Sequence, residues 1–167
     1  MQRNQVLFLL KFFAVLIAAY LLIAWGPVND GVIVPFTKAI ARGSGVLLNA
    51  IGQGVTVNGT TVTSPRFGVN INNGCNGVEA MLILLASIVA FPASMKARAA
   101  GLLLGALAVQ LLNAIRIVTL YLLGAYQPRL FDIFHTAVWQ IVIIMAAIGF
   151  FLLWSARVAP NRLATRA

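Results

Sequence analysis

An all-α integral membrane protein, a bundle of about four spans with an outer amphipathic helix and a small β-hairpin, is the fold this chain predicts. Composition is the first reason. Of 167 residues, 61% are hydrophobic and only 9% charged, and mean hydropathy is +0.96. A soluble domain carries about a quarter charged residues. The second reason is that the apolar residues gather into runs approaching the ~20 residues that cross a bilayer as a helix. The third is the placement of charge. Twelve Lys and Arg stand against three acids, for a net +9, and the bases are scattered between apolar runs rather than clustered on one face. They read as loop charges that orient a membrane protein in contact with lipid, and nucleic acid is not an expected partner. The length suits a single membrane domain over 1–167.

The first span is expected over Val6 to Trp25, after Arg3, with Lys11 able to snorkel to the headgroups. A signal peptide is the competing reading. The run is long for one and no clear small-x-small site precedes Gly26-Pro27, so an uncleaved anchor is expected. Residues 26–74 form a more polar extracytoplasmic insert. Within it Pro35 to Ile51 predicts an amphipathic helix, with Phe36, Ala39, Ile40, Gly43, Val46, Leu47 and Ala50 on one face and Lys38, Arg42 and Asn49 toward the other. Its expected place is the membrane surface or the flank of the bundle. Asn58-Gly59 between β-branched runs predicts a hairpin over Val55 to Thr63, with both turn residues at φ > 0. Pro65 ends it, and Val69 to Ile71 extends it. Three further spans are expected over 77–91, 100–124 and 137–154, joined by a loop with Lys96 and Arg98 and a loop from Tyr126 to Asp132. The tail holds Arg157, Arg162 and Arg166. With four spans, Arg3, Lys96, Arg98 and the tail share one side, which the positive-inside rule makes cytoplasmic for both termini. Lys38, Arg42, Arg66 and Arg129 fall on the other side.

Cys75 is the single cysteine and stands in the phrase Asn72-Asn73-Gly74-Cys75-Asn76-Gly77, ahead of a long apolar helix. It has no partner for an internal disulfide, and a structural cysteine more often hides within an apolar run. The bland alternative is a bystander thiol. At a helix N-terminus a thiolate gains stability from unpaired N–H groups. Arg116 lies in an apolar span, where a charge is costly unless it is paired or faces a wet cavity. The structural reading is neutralisation by Glu79, one turn after Cys75. Asn113, one turn before Arg116, shares its face. His135 is the only histidine. It is an interfacial residue or the base a thiol needs near neutral pH, and Asn76, Asn113 and Asp132 are the candidates to orient its ring. Trp25, Trp139, Trp154 and Tyr126 read as interface anchors. The topology puts Cys75, Arg116 and His135 at one membrane face. One Cys, one His and three scattered acids make a poor metal set, so no metal or other cofactor is expected.

The order Asn-Gly-Cys75-Asn-Gly, then Asn113-x-x-Arg116, then Phe134-His135 resembles the exosortase/archaeosortase family of membrane cysteine enzymes, and the small size resembles its exosortase H branch. The resemblance covers about Asn72 to Trp139. It implies Cys75 as nucleophile, His135 as base and acid, and Arg116 as the stabiliser of developing charge, with Asn76, Glu79, Asn113 and Asp132 as supporting candidates. It also implies exported protein substrates with a C-terminal sorting signal (a short motif of IPTL type, a transmembrane helix and a basic tail) and a bacterial inner membrane. The acceptor that resolves the thioester is left open. The rival is a non-enzymatic assembly or channel subunit with a structural Arg116–Glu79 pair. A thiol redox protein lacks a second cysteine, and a transporter lacks an inverted repeat.

Overall fold

The computed structural model describes residues 3–159. They form α1 (Arg3–Ala24), α2 (Gly26–Ala50), α3 (Val78–Ala90), α4 (Met95–Tyr126) and α5 (Pro128–Val158). Between α2 and α3 lies an antiparallel sheet of β1 (Thr56–Asn58), β2 (Thr61–Thr63) and β3 (Gly68–Asn70), in that order. The expected Arg162 and Arg166 of the basic tail lie outside the described residues. Four helices, α1, α2, α4 and α5, are long and apolar enough to cross a membrane. The chain is a mostly helical, multi-pass membrane protein with a small sheet.

The number of long apolar helices agrees with expectation, but their membership does not. The segment expected as a surface helix from Pro35 is part of a 25-residue apolar helix that begins at Gly26. A π-turn over Asn29–Ile33, closed by Val34 N–H to Asn29 O, accommodates Pro35, which has no N–H of its own to extend the ladder. The run expected as the second span is the 13-residue α3. At ~1.5 Å per residue it is about 20 Å long, short of a ~30 Å hydrocarbon core. It packs against α1, α4 and α5, so the shortest helix is the central one.

The apolar stripe of α2 faces outward. Val46 and Leu47, on the predicted apolar stripe, are exposed, while Thr37, Ala41, Ser44, Gly45 and Leu48 are buried. In a membrane protein lipid accepts the apolar stripe, and small residues face inward so that backbones can approach. Gly45 shows this closeness, because a Cβ there would collide with Val57.

Two clusters divide the interior by height. Leu84, Ile88, Val109, Ala147 and Trp154 join α3, α4 and α5. Ala41, Leu48, Val55, Val62, Ile71, Ile117 and Tyr121 join α2 and the sheet to the far end of α4. Trp154 is an internal residue rather than the expected anchor. It is 8% exposed, and its Nε1 donates to Ala97 O at 3.2 Å.

The sheet differs from expectation in its turn. Asn58 pairs with Thr61, so the two-residue loop is Gly59-Thr60, and of these Gly59 alone has positive φ (63°). Glycine at the first central position is the II′ pattern, not the Asn-Gly I′ turn. β3 extends the hairpin as expected. The sheet is tied to α4 by Tyr121 Oη donating to Ser64 Oγ at 2.6 Å and Arg66 Nη1 donating to Tyr126 Oη at 2.9 Å.

α4 begins at Met95 rather than near residue 100, because Ser94 Oγ accepts from Ala97 N–H and caps it. The loop expected to run to Asp132 is Gln127 alone, since Pro128 opens α5 at a position where its missing N–H costs nothing.

The close approach of α2 to the sheet predicts a contrast between two nearby glycines. Gly45→Leu should lower stability by about 1–3 kcal/mol through overpacking. Gly43→Leu, where a Cβ meets nothing within 4 Å, should be close to neutral. Thermal unfolding of the purified variants in detergent, followed by tryptophan fluorescence, checks the pair.

Candidate active site

Cys75 sits in a tight turn that feeds α3. Cys75 N–H and Asn76 N–H both donate to Asn72 O, at 2.9 and 3.1 Å. Gly77 then takes φ +76°, a left-handed conformation that favours glycine. Space makes the same demand, because a Cβ on Gly77 would lie 3.0 Å from Asn113 Cγ. Asn76 is fully buried and holds this turn. Its Oδ1 accepts from Val78 N–H at 3.0 Å, and its Nδ2 donates to Thr37 Oγ1 at 2.9 Å and to Asn73 Oδ1 at 3.2 Å. Its amide is thus committed to α2 and α3 and is not the group that orients His135.

Arg116, 4% exposed, reaches up from α4. Its Nη1 donates to Gly74 O at 3.3 Å and its Nη2 lies 4.0 Å from Cys75 Sγ. Glu79 does not pair with it. Glu79 Oε1 accepts from Gly74 N–H at 2.8 Å. The acid and the base therefore grip the two peptide groups on either side of one glycine, and the Arg116–Glu79 pair of the rival reading gives way to a clamp on Gly74.

His135 approaches from α5. Its Nε2 lies 3.0 Å from Cys75 Sγ. The residue falls in a π-turn over Phe134–Val138, a feature frequent at functional positions because it re-aims the side chains on either side. The expected orienting acid is not engaged. Asp132 is exposed, and its backbone carbonyl accepts from Thr136 Oγ1. The imidazole lies instead on the ring of Phe131, with centroids 5.5 Å apart and planes 12° from parallel.

Sulfur, imidazole and guanidinium thus come together from three separate elements. Asn113 lies directly beneath. It is fully buried, and both its amide atoms lack a hydrogen-bond partner among the described residues. It packs under Gly77 rather than reaching His135. Gly74 and Phe131 were not singled out in the sequence. Phe131 was detectable as the residue four before His135, whereas nothing in Thr37 or Gly74 announced a role.

The depth of the site follows from α4. Ala97 O, bonded to Trp154, and Phe91 O, bonded to Arg98 Nη2, mark one end of the bundle. From Ala97 to Arg116 the helix rises about 28 Å, close to one hydrocarbon thickness. The cluster therefore lies about a membrane away from Lys96 and Arg98.

The Cys75 thiol is shifted upward, not downward as the helix-terminus expectation has it. Burial pushes the Cys75 thiol above its ordinary range, the Arg116 guanidinium pulls it down, and the Glu79 carboxylate pushes it up. Burial is the largest of these, so the net direction is upward. A raised thiol stays protonated at neutral pH and needs a base, and His135 Nε2 is at bonding distance.

Alkylation of the single cysteine across pH should show these signs. Arg116→Gln removes the lowering charge and should move the midpoint to higher pH. Glu79→Gln removes the raising charge and should move it lower. Mass-detected rates with iodoacetamide in detergent report both.

The family model described as Transmembrane exosortase (Exosortase_EpsH) matches residues 4–161 of the chain. No curated protein and no solved structure matches it. The match spans nearly the whole sequence and includes Cys75, Arg116 and His135, so the chain belongs to the transmembrane exosortase family.

Proposed function

We propose that the protein is a membrane cysteine peptidase or transpeptidase. It cleaves the C-terminal sorting signal of exported proteins through a thioester on Cys75 and passes the protein to water or to an acceptor nucleophile. The observation that carries this reading is the 3.0 Å contact between Cys75 Sγ and His135 Nε2, with Arg116 beside the sulfur. Family membership supports the same chemistry.

The steps follow from the geometry. His135 Nε2 accepts the thiol proton, and the thiolate attacks the scissile carbonyl carbon. A C–S bond forms and the carbonyl oxygen takes the negative charge. The N–H groups of Gly74, Cys75 and Asn76 are already donated, to Glu79 and to Asn72 O. Arg116 Nη2, 4.0 Å from the sulfur, is thus the donor placed to meet the oxyanion, and a preorganised donor of this sort contributes on the order of a hundredfold or more in rate. The C–N bond breaks as the His135 imidazolium returns its proton to the leaving amine. An incoming water or amine, deprotonated by His135, attacks the thioester; the C–S bond breaks and the thiol is restored.

The substrate reaches the thiol beside the bundle. An apolar groove of about 170 Å³ runs between Ala80, Ile83 and Ser87 of α3 and Ile144, Ala147 and Ile148 of α5, the two helices nearest Cys75 and His135. An apolar helix in that position would present the residues at its outer end to the sulfur. The site faces the extracytoplasmic side of a bacterial inner membrane in this reading, and both termini are cytoplasmic. Support comes from Lys96, Arg98 and Arg157, which gather at the opposite end of the bundle.

The test co-expresses a secreted reporter ending in Ile-Pro-Thr-Leu, an apolar helix and a basic cluster, and follows its C-terminal trimming on a gel. Cys75→Ala and His135→Ala should each abolish trimming at unchanged membrane levels. Normal trimming by both variants would overturn the assignment.

A further inference from the structure

His135 has a base's position without a base's usual partner, since among the described residues no carboxylate or amide holds its ring. What touches the ring face is Phe131, stacked at 5.5 Å and 12°. Phe131 is itself held edge-on by Phe67, at 5.4 Å and 63°, and Phe67 stands edge-on to Tyr121 at 5.9 Å. Phe67 has nowhere else to go. Its ring lies so close over Gly124 that a Cβ there would collide with it, and Ser64 Oγ accepts from Phe67 N–H at 3.4 Å while bonding Tyr121 Oη. A row of rings therefore runs from α4, through the link between β2 and β3, to the imidazole.

We propose that Phe131, pinned by Phe67 of the link between β2 and β3, is the positioning residue for His135 and takes the part that a hydrogen-bonded acid plays in other thiol enzymes. This rests on the reading of His135 as the base. The ring does two things. It fixes the plane of the imidazole so that Nε2 faces the sulfur. It also offers its π face to the imidazolium that forms when the proton passes from Cys75 Sγ to Nε2, and a cation over an aromatic face is stabilised. The other charged or titratable groups around His135 are Cys75 and Glu79 ahead of and within α3, Arg116 from α4, and exposed Asp132 on its own helix. None of them bonds Nδ1 among the described residues. The sheet thereby gains a role in the chemistry, because the link between its second and third strands sets the base.

Cys75 is the only cysteine, so its alkylation by iodoacetamide in the purified full chain reads the thiol–imidazole pair without any substrate. Phe131→Leu and Phe131→Met should slow alkylation at pH 7 about three- to tenfold and move the pH profile upward. Phe131→Tyr, which keeps a ring, should restore both. Phe67→Leu should give the same pattern with smaller amplitude. The decisive control is the His135→Ala background, where the Phe131 substitutions should have no further effect. An equal loss in that background, an unchanged profile in both Phe131→Leu and Phe131→Met, or no rescue by Phe131→Tyr would each overturn the proposal. If wild-type protein trims no reporter yet the alkylation pattern holds, the peptidase reading fails and the positioning role stands.

Discussion

The Arg116 guanidinium, buried against the carbonyl of Gly74, is the interaction on which the rest of this structure depends. A cation within an apolar helix is costly, and the cost is offset only where hydrogen bonds replace water. Here the backbone of the cysteine turn supplies the acceptor. Glu79 grips the N–H of the same glycine, so two opposite charges are held near each other through one residue rather than by contact. The pair fixes the turn, the turn fixes Cys75, and the guanidinium keeps an Nη group beside the sulfur instead of spending it on a carboxylate. One buried charge serves both the fold and the proposed chemistry.

Around that point the molecule is built in two storeys. The lower one is packed by α3, α4 and α5 and is clad in exposed apolar residues such as Leu103, Leu107 and Leu111, which suit lipid. The upper one is formed by α2 and the sheet, closed over the far end of α4. The cysteine turn lies where they meet. A short central helix is what makes this possible. Were α3 as long as its neighbours, its N-terminus would stand clear of the bundle and Cys75 would leave the reach of Arg116.

Much of this was legible in the sequence, for identifiable reasons. The apolar runs revealed the helical membrane class because composition decides which solvent a chain can tolerate. Cys75, Arg116 and His135 could be set at one height because helix rise and span order constrain height. The limits of the helices were less legible, because Ser94, Pro35 and Pro128 act through caps and turns that depend on their neighbours. Which face of α2 turns inward was not legible, because an apolar stripe marks a core only when the surroundings are water. Partners formed across the fold left the least trace. Glu79 and Arg116 look like a salt bridge by type and height, and only the path of the chain at Gly74 separates them. Asp132 looks like the orienting group by sequence distance, yet Phe131, also one turn from His135, meets the ring.

The central claim is that these three side chains act together on one amide and that the sulfur carries the acyl group. Mass spectrometry tests it most directly. Wild-type protein incubated with the reporter and quenched in acid should yield a Cys75 peptide joined to the substrate's newly formed C-terminus, and hydroxylamine should release it. Trimmed reporter with no adduct on Cys75, or an adduct on any other residue, would contradict the account.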